Sequence, residues 1–249
     1  MEKRLIILLL TFVGVVTGVC AQGNDFGMWY ELGADKKLSR QWSLGVESEL
    51  RTRNNTRTLD RWSVGVSAEY KVLKWLKVSA GYTFLYDNNM EEMDFKRDGF
   101  TPNNWLPSYW GVRHRFNAGL TGSAAWKRFK FSLRERWQYT YRPEKTTTRY
   151  DFDNAKWEDT TVNGKAGSVL RSRVQAEYDI PACTWTPYAS VELYNAWSVE
   201  KVRYTIGADW KINKKNSFGV YYRFQDDRSS SDDDDADMNI FGLSYNFKF

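Results

Sequence analysis

The last eleven residues, NIFGLSYNFKF (239–249), decide the fold. Phe241, Leu243, Tyr245, Phe247 and Phe249 fall on one face of an extended chain, and Ile240, Gly242, Ser244, Asn246 and Lys248 on the other. A period of two places successive side chains on opposite faces of a strand. The same alternation recurs upstream. Trp62, Val64, Val66, Ala68 and Tyr70 alternate with Arg61, Ser63, Gly65, Ser67 and Glu69, and Val202, Tyr204, Ile206, Ala208 and Trp210 alternate with Arg203, Thr205, Gly207, Asp209 and Lys211. Eleven candidate strands follow, near 26–37, 41–54, 57–72, 75–88, 110–125, 128–142, 167–179, 184–197, 200–212, 216–227 and 238–249. No helical period of 3.6 appears after residue 21.

The connections fall into two sets. Those at 38–40, 73–74, 126–127, 180–183 and 213–215 are short, whereas 89–109, 143–166 and 228–237 are long and polar. Short and longer links alternate along the chain, with 55–56 and 198–199 the shorter members of the second set. This predicts an up-and-down antiparallel meander with tight turns at one rim and loops at the other, the asymmetry of outer-membrane barrels.

A soluble sandwich also alternates, so the faces must be assigned. The polar face carries Glu47, Glu49, Arg51, Arg61, Glu69, Arg113, Arg115, Arg134, Arg136, Arg171, Arg173, Glu177, Glu192, Arg203, Asp209 and Arg223. These are the expected lumen-lining charges, since a barrel interior accepts ion pairs and water. Trp42, Trp75, Trp126, Trp185 and Trp210 sit beside the short turns, and Trp62 and Trp137 lie towards the other rim. Such a distribution predicts two aromatic girdles, because an indole belongs at the headgroup level. In lipid every backbone N–H and C=O must be satisfied, so the sheet must close. Single-chain bacterial barrels carry an even number of strands, which favours about 12 strands over the eleven recognised, with 10 as the alternative.

Composition narrows the class. The 249 residues include 12 Trp, 15 Tyr and 14 Phe but one His, two Cys and five Pro. Disordered chains are poor in aromatics, and a disulfide or Cys-based zinc scaffold needs more cysteine. A mean hydropathy of -0.63 leaves no room for repeated apolar helical spans. The net charge of +5 is spread along the chain without the basic stripe of a nucleic-acid binder. Residues 1–21 read as a secretory signal peptide: Lys3 and Arg4 precede the apolar run from Leu5 to Val16, and Val19 and Ala21 suit cleavage before Gln22. An uncleaved anchor and a lipid anchor on Cys20 are the alternatives. Residues 22–249 then form one domain.

The terminal pattern Phe241, Leu243, Tyr245, Phe247, Phe249 resembles the C-terminal strand of bacterial outer-membrane proteins, in which an aromatic last residue is the usual assembly signal. The order of segments is similar to a bacterial outer-membrane barrel family known as domain of unknown function 2490. The resembling pieces are Asp25–Trp29, the turn Lys36–Leu44, the acidic-to-basic Glu47 to Arg53, and Arg113-His114-Arg115-Phe116. The resemblance implies a barrel over nearly the whole chain after the leader and carries no catalytic residues. It implies outer-membrane lipid and, during insertion, the barrel-assembly machinery as partners.

Little chemistry is expected. A Ser–His pair on a lipid-modifying barrel would need a serine in reach of His114, but Val112, Phe116 and Ala118 occupy its face. The run of Asp226, Asp227, Asp232 to Asp235 and Asp237 lacks the order of an EF-hand and reads as a solvated loop over 226–237. Trp105, Tyr109, Tyr150 and Trp157 stand in the long connections, as ligand contacts or as a cap. The arginine-rich interior reads either as an anion-preferring pore or as paired charges filling a narrow lumen, with a slight lean to the second. The expectation is therefore a bacterial outer-membrane barrel with no catalytic site, metal, cofactor or nucleic-acid partner. Its expected role is that of a small porin-like channel or envelope-interaction protein, and the alternatives are a lipid-modifying enzyme or a structural barrel presenting loops.

Overall fold

The computed structural model describes residues 25–228 and 237–249. The signal-peptide reading of 1–21 and most of the acidic run lie outside them. Fifteen strands and no helix form the described chain: β1 Asp25–Lys37, β2 Trp42–Arg53, β3 Thr58–Lys71, β4 Leu76–Asn89, β5 Glu92–Phe95, β6 Pro102–Leu106, β7 Tyr109–Trp126, β8 Phe129–Arg142, β9 Lys145–Asp151, β10 Lys156–Val162, β11 Lys165–Tyr178, β12 Trp185–Asn195, β13 Val199–Lys211, β14 Asn216–Asp227 and β15 Met238–Lys248. β5, β6, β9 and β10 stand apart, and the other eleven close into a barrel in the order β1-β15-β14-β13-β12-β11-β8-β7-β4-β3-β2.

Each barrel strand coincides with one of the eleven alternating segments to within a few residues. The expectation of twelve strands, or ten, is therefore corrected: the barrel of the described residues closes with eleven. In an up-and-down sheet of odd count the first and last strands run in the same direction, so closure takes a parallel pair. β1 pairs with β15 in parallel from Asp25↔Met238 to Asp35↔Lys248, while every other neighbouring pair is antiparallel. Even strand number is a consequence of all-antiparallel closure and not a condition of closure itself. A parallel ladder is slightly weaker per residue, and the seam is fastened at both ends. Asp25 N–H donates to Asp237 O at 3.1 Å and Phe249 N–H to Asp35 O at 2.9 Å. The Asp25 carboxylate also accepts from the backbone of Asn54 at 2.8 Å and Asn55 at 2.9 Å, tying the strand start to the β2–β3 turn.

The seam is braced from inside. Trp29, Tyr221 and Ile240 form the buried apolar cluster of the described residues. Tyr221 lies flat across β15 at Gly242, where a Cβ would come within 2.0 Å of the ring. Its hydroxyl thereby passes over β15 and donates to Glu31 on β1.

The long connections are not plain loops, which is a second correction. Residues 89–109 and 143–166 each fold into a hairpin, and the two hairpins join through Asn104↔Asp151 and Trp105↔Tyr150 into a four-stranded sheet, β10-β9-β6-β5. Met93, Trp105, Tyr150 and Trp157 stand in one cross-strand row on it. Asp98 caps the β5–β6 turn by accepting from the Thr101 hydroxyl and from the backbone of Thr101 and Phe100, and these bonds hold its carboxyl down at about 2.

The parallel seam predicts proximity on the outer face. Cysteines placed at Tyr30 and Leu243, register partners, in a Cys183→Ser background should crosslink in the folded barrel, as judged by a gel shift. A twelfth strand between them would add ~5 Å of separation and abolish the crosslink. Gly242→Val should lower the unfolding free energy measured in urea by about 1–3 kcal/mol through overpacking against Tyr221.

Candidate functional site

Alternation and register carry the polar rows of neighbouring strands to the same side. Trp29 stands opposite Arg51, Arg51 opposite Arg61, and Arg61 opposite Asp87. Further round the wall, Thr83 faces Arg115, Arg136 faces Arg171, and Glu192 faces Arg203. The expected lumen charges therefore share one face of the sheet, but not one height. Arg51, Arg61, Arg113, Arg115, Arg171, Glu192, Arg203 and Arg223 gather in the half nearer the long connections. Glu69, Glu177 and Asp209 lie in the other half, near the short turns, while Glu47, Glu49, Arg134, Arg136 and Arg173 fall between.

The half nearer the long connections is packed. Arg61 forms a double hydrogen bond with Asp87, whose Oδ2 also lies 3.0 Å from Arg113 Nε, and Arg113 Nη2 donates to Asn89 Oδ1 at 2.9 Å. Arg51 Nε donates to Glu49 at 2.6 Å, and its guanidinium sits 3.6 Å over the Trp29 ring. Arg223 and Arg203 approach the same indole at 4.9 and 5.1 Å, so three cations share one aromatic face system. Arg203 donates to Gln225 at 2.9 Å and to the Tyr194 hydroxyl. Arg171 stacks on Tyr194 at 4.5 Å and donates to Gln138 at 3.0 Å. A continuous polar belt thus runs from β2 through β1 and across to β13, β12, β11 and β8. Trp29 and Arg203 meet across the inside of two intervening strands, β15 and β14, in the closed order, so this layer reaches across the lumen and does not merely coat its wall.

The opposite half differs in side-chain size. Gly33, Gly45, Ser67, Ser79, Gly81, Ser123, Ser132, Gly219 and Ser244 occupy its inward positions. Its ion pairs, Lys77–Glu69 at 2.7 Å and Lys130–Glu177 at 3.0 Å, are partly exposed and stay near the mouth. Small inward residues are therefore commoner towards the short turns, and bulky ones towards the long connections.

Donors outnumber acceptors within the tight layer. The Trp29 indole N–H and the Nε atoms of Arg134, Arg171 and Arg173 are sealed from solvent without an acceptor among the described residues. Arginine cannot relieve this by losing its proton.

Sequence reading missed Trp29, Glu31, Asp87, Tyr194 and Tyr221. Asp87 follows the parity of Lys77, Ser79, Gly81 and Thr83, and extending that row by two steps would have found it. Trp29 was hidden by the adjacent Tyr30, because two neighbouring aromatics blur the alternation. His114 lies on the other face: its Nδ1 is 2.8 Å from the Tyr82 hydroxyl, and its ring packs beside Phe84 and Tyr141. Trp42, Trp62, Trp75, Trp126, Trp137, Trp185 and Trp210 are all exposed on the outside, as are Phe241, Tyr245 and Phe249 of the terminal row. Among the described residues no group of His, Cys, Asp and Glu is arranged to hold a metal.

Comparison with known proteins agrees with this architecture. The family model described as "Protein of unknown function (DUF2490)" matches residues 26–236. The NanC porin structure aligns with 16% identity over 90% of this chain and 99% of that one, at a TM-score of 0.50. The beta domain of the Bordetella autotransporter BrkA aligns with 11% identity over 82% of this chain and 79% of that one, also at 0.50. At these identities the likeness is one of fold. None of the curated proteins compared matches the chain.

Glu192 is the keystone of the tight layer: Oε1 accepts from Arg134 at 2.6 Å and Oε2 from Arg171 at 2.9 Å. Glu192→Gln leaves both guanidiniums short of a counter-charge. It should cost about 3–5 kcal/mol in urea unfolding of the detergent-folded barrel. An unchanged midpoint would show that the belt does not carry stability.

Proposed function

We propose, for a chain that belongs to the family of unknown function DUF2490, that it is a bacterial outer-membrane barrel forming a narrow, anion-preferring passage with its constriction at Trp29. Membership brings no activity with it, so the reading rests on the lumen. One observation carries it: the tight layer presents Arg51, Arg61, Arg113, Arg115, Arg171, Arg203 and Arg223 against Glu31, Glu49, Asp87 and Glu192, and its sealed, unmet polar atoms are mainly N–H donors. A lumen filled only for rigidity would neutralise itself, because an unpaired buried charge destabilises. A charge surplus held in a confined, low-dielectric space attracts the opposite ion, as charged rings do in channels.

Several outside features support the membrane setting. The exposed face from Leu32 and Val66 to Leu120, Leu133 and Val174 is apolar, every barrel strand reaches the ~9–11 residues needed to span, and tryptophans flank that face at both rims. The terminal row ending in Phe249 fits an assembly signal, and the leader fits export. The two solved structures compared above, a porin and an autotransporter beta domain by their own descriptions, lend the fold and nothing finer. No catalytic role is assigned; His114 points outward into an aromatic cluster.

A second reading concerns the sheet built from the long connections. Phe95, Phe100 and Trp157 are exposed on that sheet and its turn, which favours an envelope-interaction surface in addition to the passage. Crosslinking in intact cells from Phe100 would detect such a partner.

Planar-bilayer recording tests the passage. The wild-type barrel should give small conductance steps with a reversal potential of anionic sign in a KCl gradient. Trp29→Ala should raise the conductance by removing the indole that gathers three arginines. Absence of steps in both proteins would sink the reading.

A further inference from the structure

One cluster on the lumen wall is left unbalanced by the protein's own residues. Arg134 and Arg136 project inward from β8, and Arg171 and Arg173 from β11. The register sets Arg136 directly against Arg171 and Arg134 directly against Arg173. Like charges facing each other on neighbouring strands destabilise a sheet. Four such side chains in two opposed pairs call for a counter-ion.

Glu192 supplies only part of it. It is the register partner of Arg173 on β12, yet its carboxylate turns to the other diagonal, accepting from Arg134 at 2.6 Å and Arg171 at 2.9 Å. Both of its oxygens are thereby used, and the Tyr194 hydroxyl donates to one of them at 3.3 Å. Arg136 and Arg173 have no carboxylate within ion-pair distance among the described residues. Arg134 and Arg171 are themselves 15% and 13% exposed, and the Nε atoms of Arg134, Arg171 and Arg173 are sealed from solvent with no acceptor. The donors are thus held in place by Glu192, which orients the cluster without neutralising it.

Several neighbouring inward positions are small. Gly119 is the residue opposite Arg136 on β7, so β7 sets no side chain directly beside Arg136. A Cβ there would meet Ser79 Oγ and Glu135 O at 3.1 Å. Towards the short-turn mouth the next inward residues are Thr121, opposite Arg134, then Ser123 and Ser132, opposite each other, with Gln175 beside Ser132 on β11.

We propose that Arg134, Arg136, Arg171 and Arg173 form a binding site for a small, multiply charged oxyanion of the phosphate class, entered from the short-turn mouth. Guanidinium forks match the oxygen spacing of phosphate and form two parallel hydrogen bonds to it, which a spherical halide cannot accept. The site therefore distinguishes oxyanions from chloride, whereas a mere surplus of positive charge would not. This rests on the lumen's acceptance of anions, and it adds a fixed position and a preferred chemistry.

The test measures urea unfolding of the detergent-folded barrel with inorganic phosphate or chloride added at equal ionic strength. Phosphate should raise the wild-type midpoint saturably and chloride should not. In the Arg136→Gln/Arg173→Gln double variant, half of the phosphate effect should require roughly tenfold more phosphate, the loss expected for one or two charged hydrogen bonds. Arg173→Lys, which keeps the charge and removes the fork, should weaken the response in the same direction. Without phosphate the double variant should be at least as stable as wild type, because it relieves both opposed like-charge pairs. Equal effects of phosphate and chloride, a full phosphate response in the double variant, or a double variant that is unstable without phosphate would each overturn the site. Unfolding needs no conduction, so silent bilayers would sink the passage alone, and a phosphate-blind midpoint would sink the site alone.

Discussion

The parallel pairing of β1 with β15 is the constraint on which the rest of the barrel depends. A meander of ten hairpin-linked antiparallel pairs has two open edges, and an open edge leaves a row of backbone N–H and C=O groups unpaired. Closing an odd number of strands forces the ends to run the same way. The register that results, Trp29 against Gly242 and Glu31 against Ser244, places two glycine or serine positions of β15 beside the bulky inward residues of β1. Tyr221 then fits over Gly242 and reaches Glu31. The weaker ladder is covered by the buried apolar cluster of the described residues.

That same seam brings Trp29 into the lumen and makes the arginine belt three-dimensional. On the wall alone, Arg51, Arg203 and Arg223 belong to strands β2, β13 and β14. The indole collects them at 3.6, 5.1 and 4.9 Å. Packing in one half and small residues in the other follow from which inward positions are arginine, tyrosine and tryptophan and which are glycine and serine. The belt that braces the closure is therefore also the seat of the charge surplus on which the proposed passage rests.

The strands were legible because each alternates over ten or more residues and the turns between them are short. Their number was legible too. The step to twelve came from a rule about antiparallel closure, and the seam shows why that rule does not bind this chain. The hairpins at 89–109 and 143–166 were not legible as a sheet. Their strands are short, and they are stabilised by pairing with each other at Asn104↔Asp151 and Trp105↔Tyr150, a contact between segments far apart in sequence. For the candidate site, the inward row of arginines could be read from parity, but their partners could not. Asp87 and Tyr221 stand in rows that alternation defines, yet nothing local says that one will clamp Arg61 and Arg113 and the other will cross β15.

The sequence by itself determined an all-β chain with eleven alternating segments, the parity of the regular rows within them, and the preponderance of arginine on the polar face. These are local properties: a side chain's face follows from a period of two, whatever the strand's neighbours. The tertiary structure decided the direction of the closing pair, the height at which the charges meet, and the imbalance among Arg134, Arg136, Arg171 and Arg173. Those depend on register, and register is set by how distant strands align when the sheet bends round to meet itself.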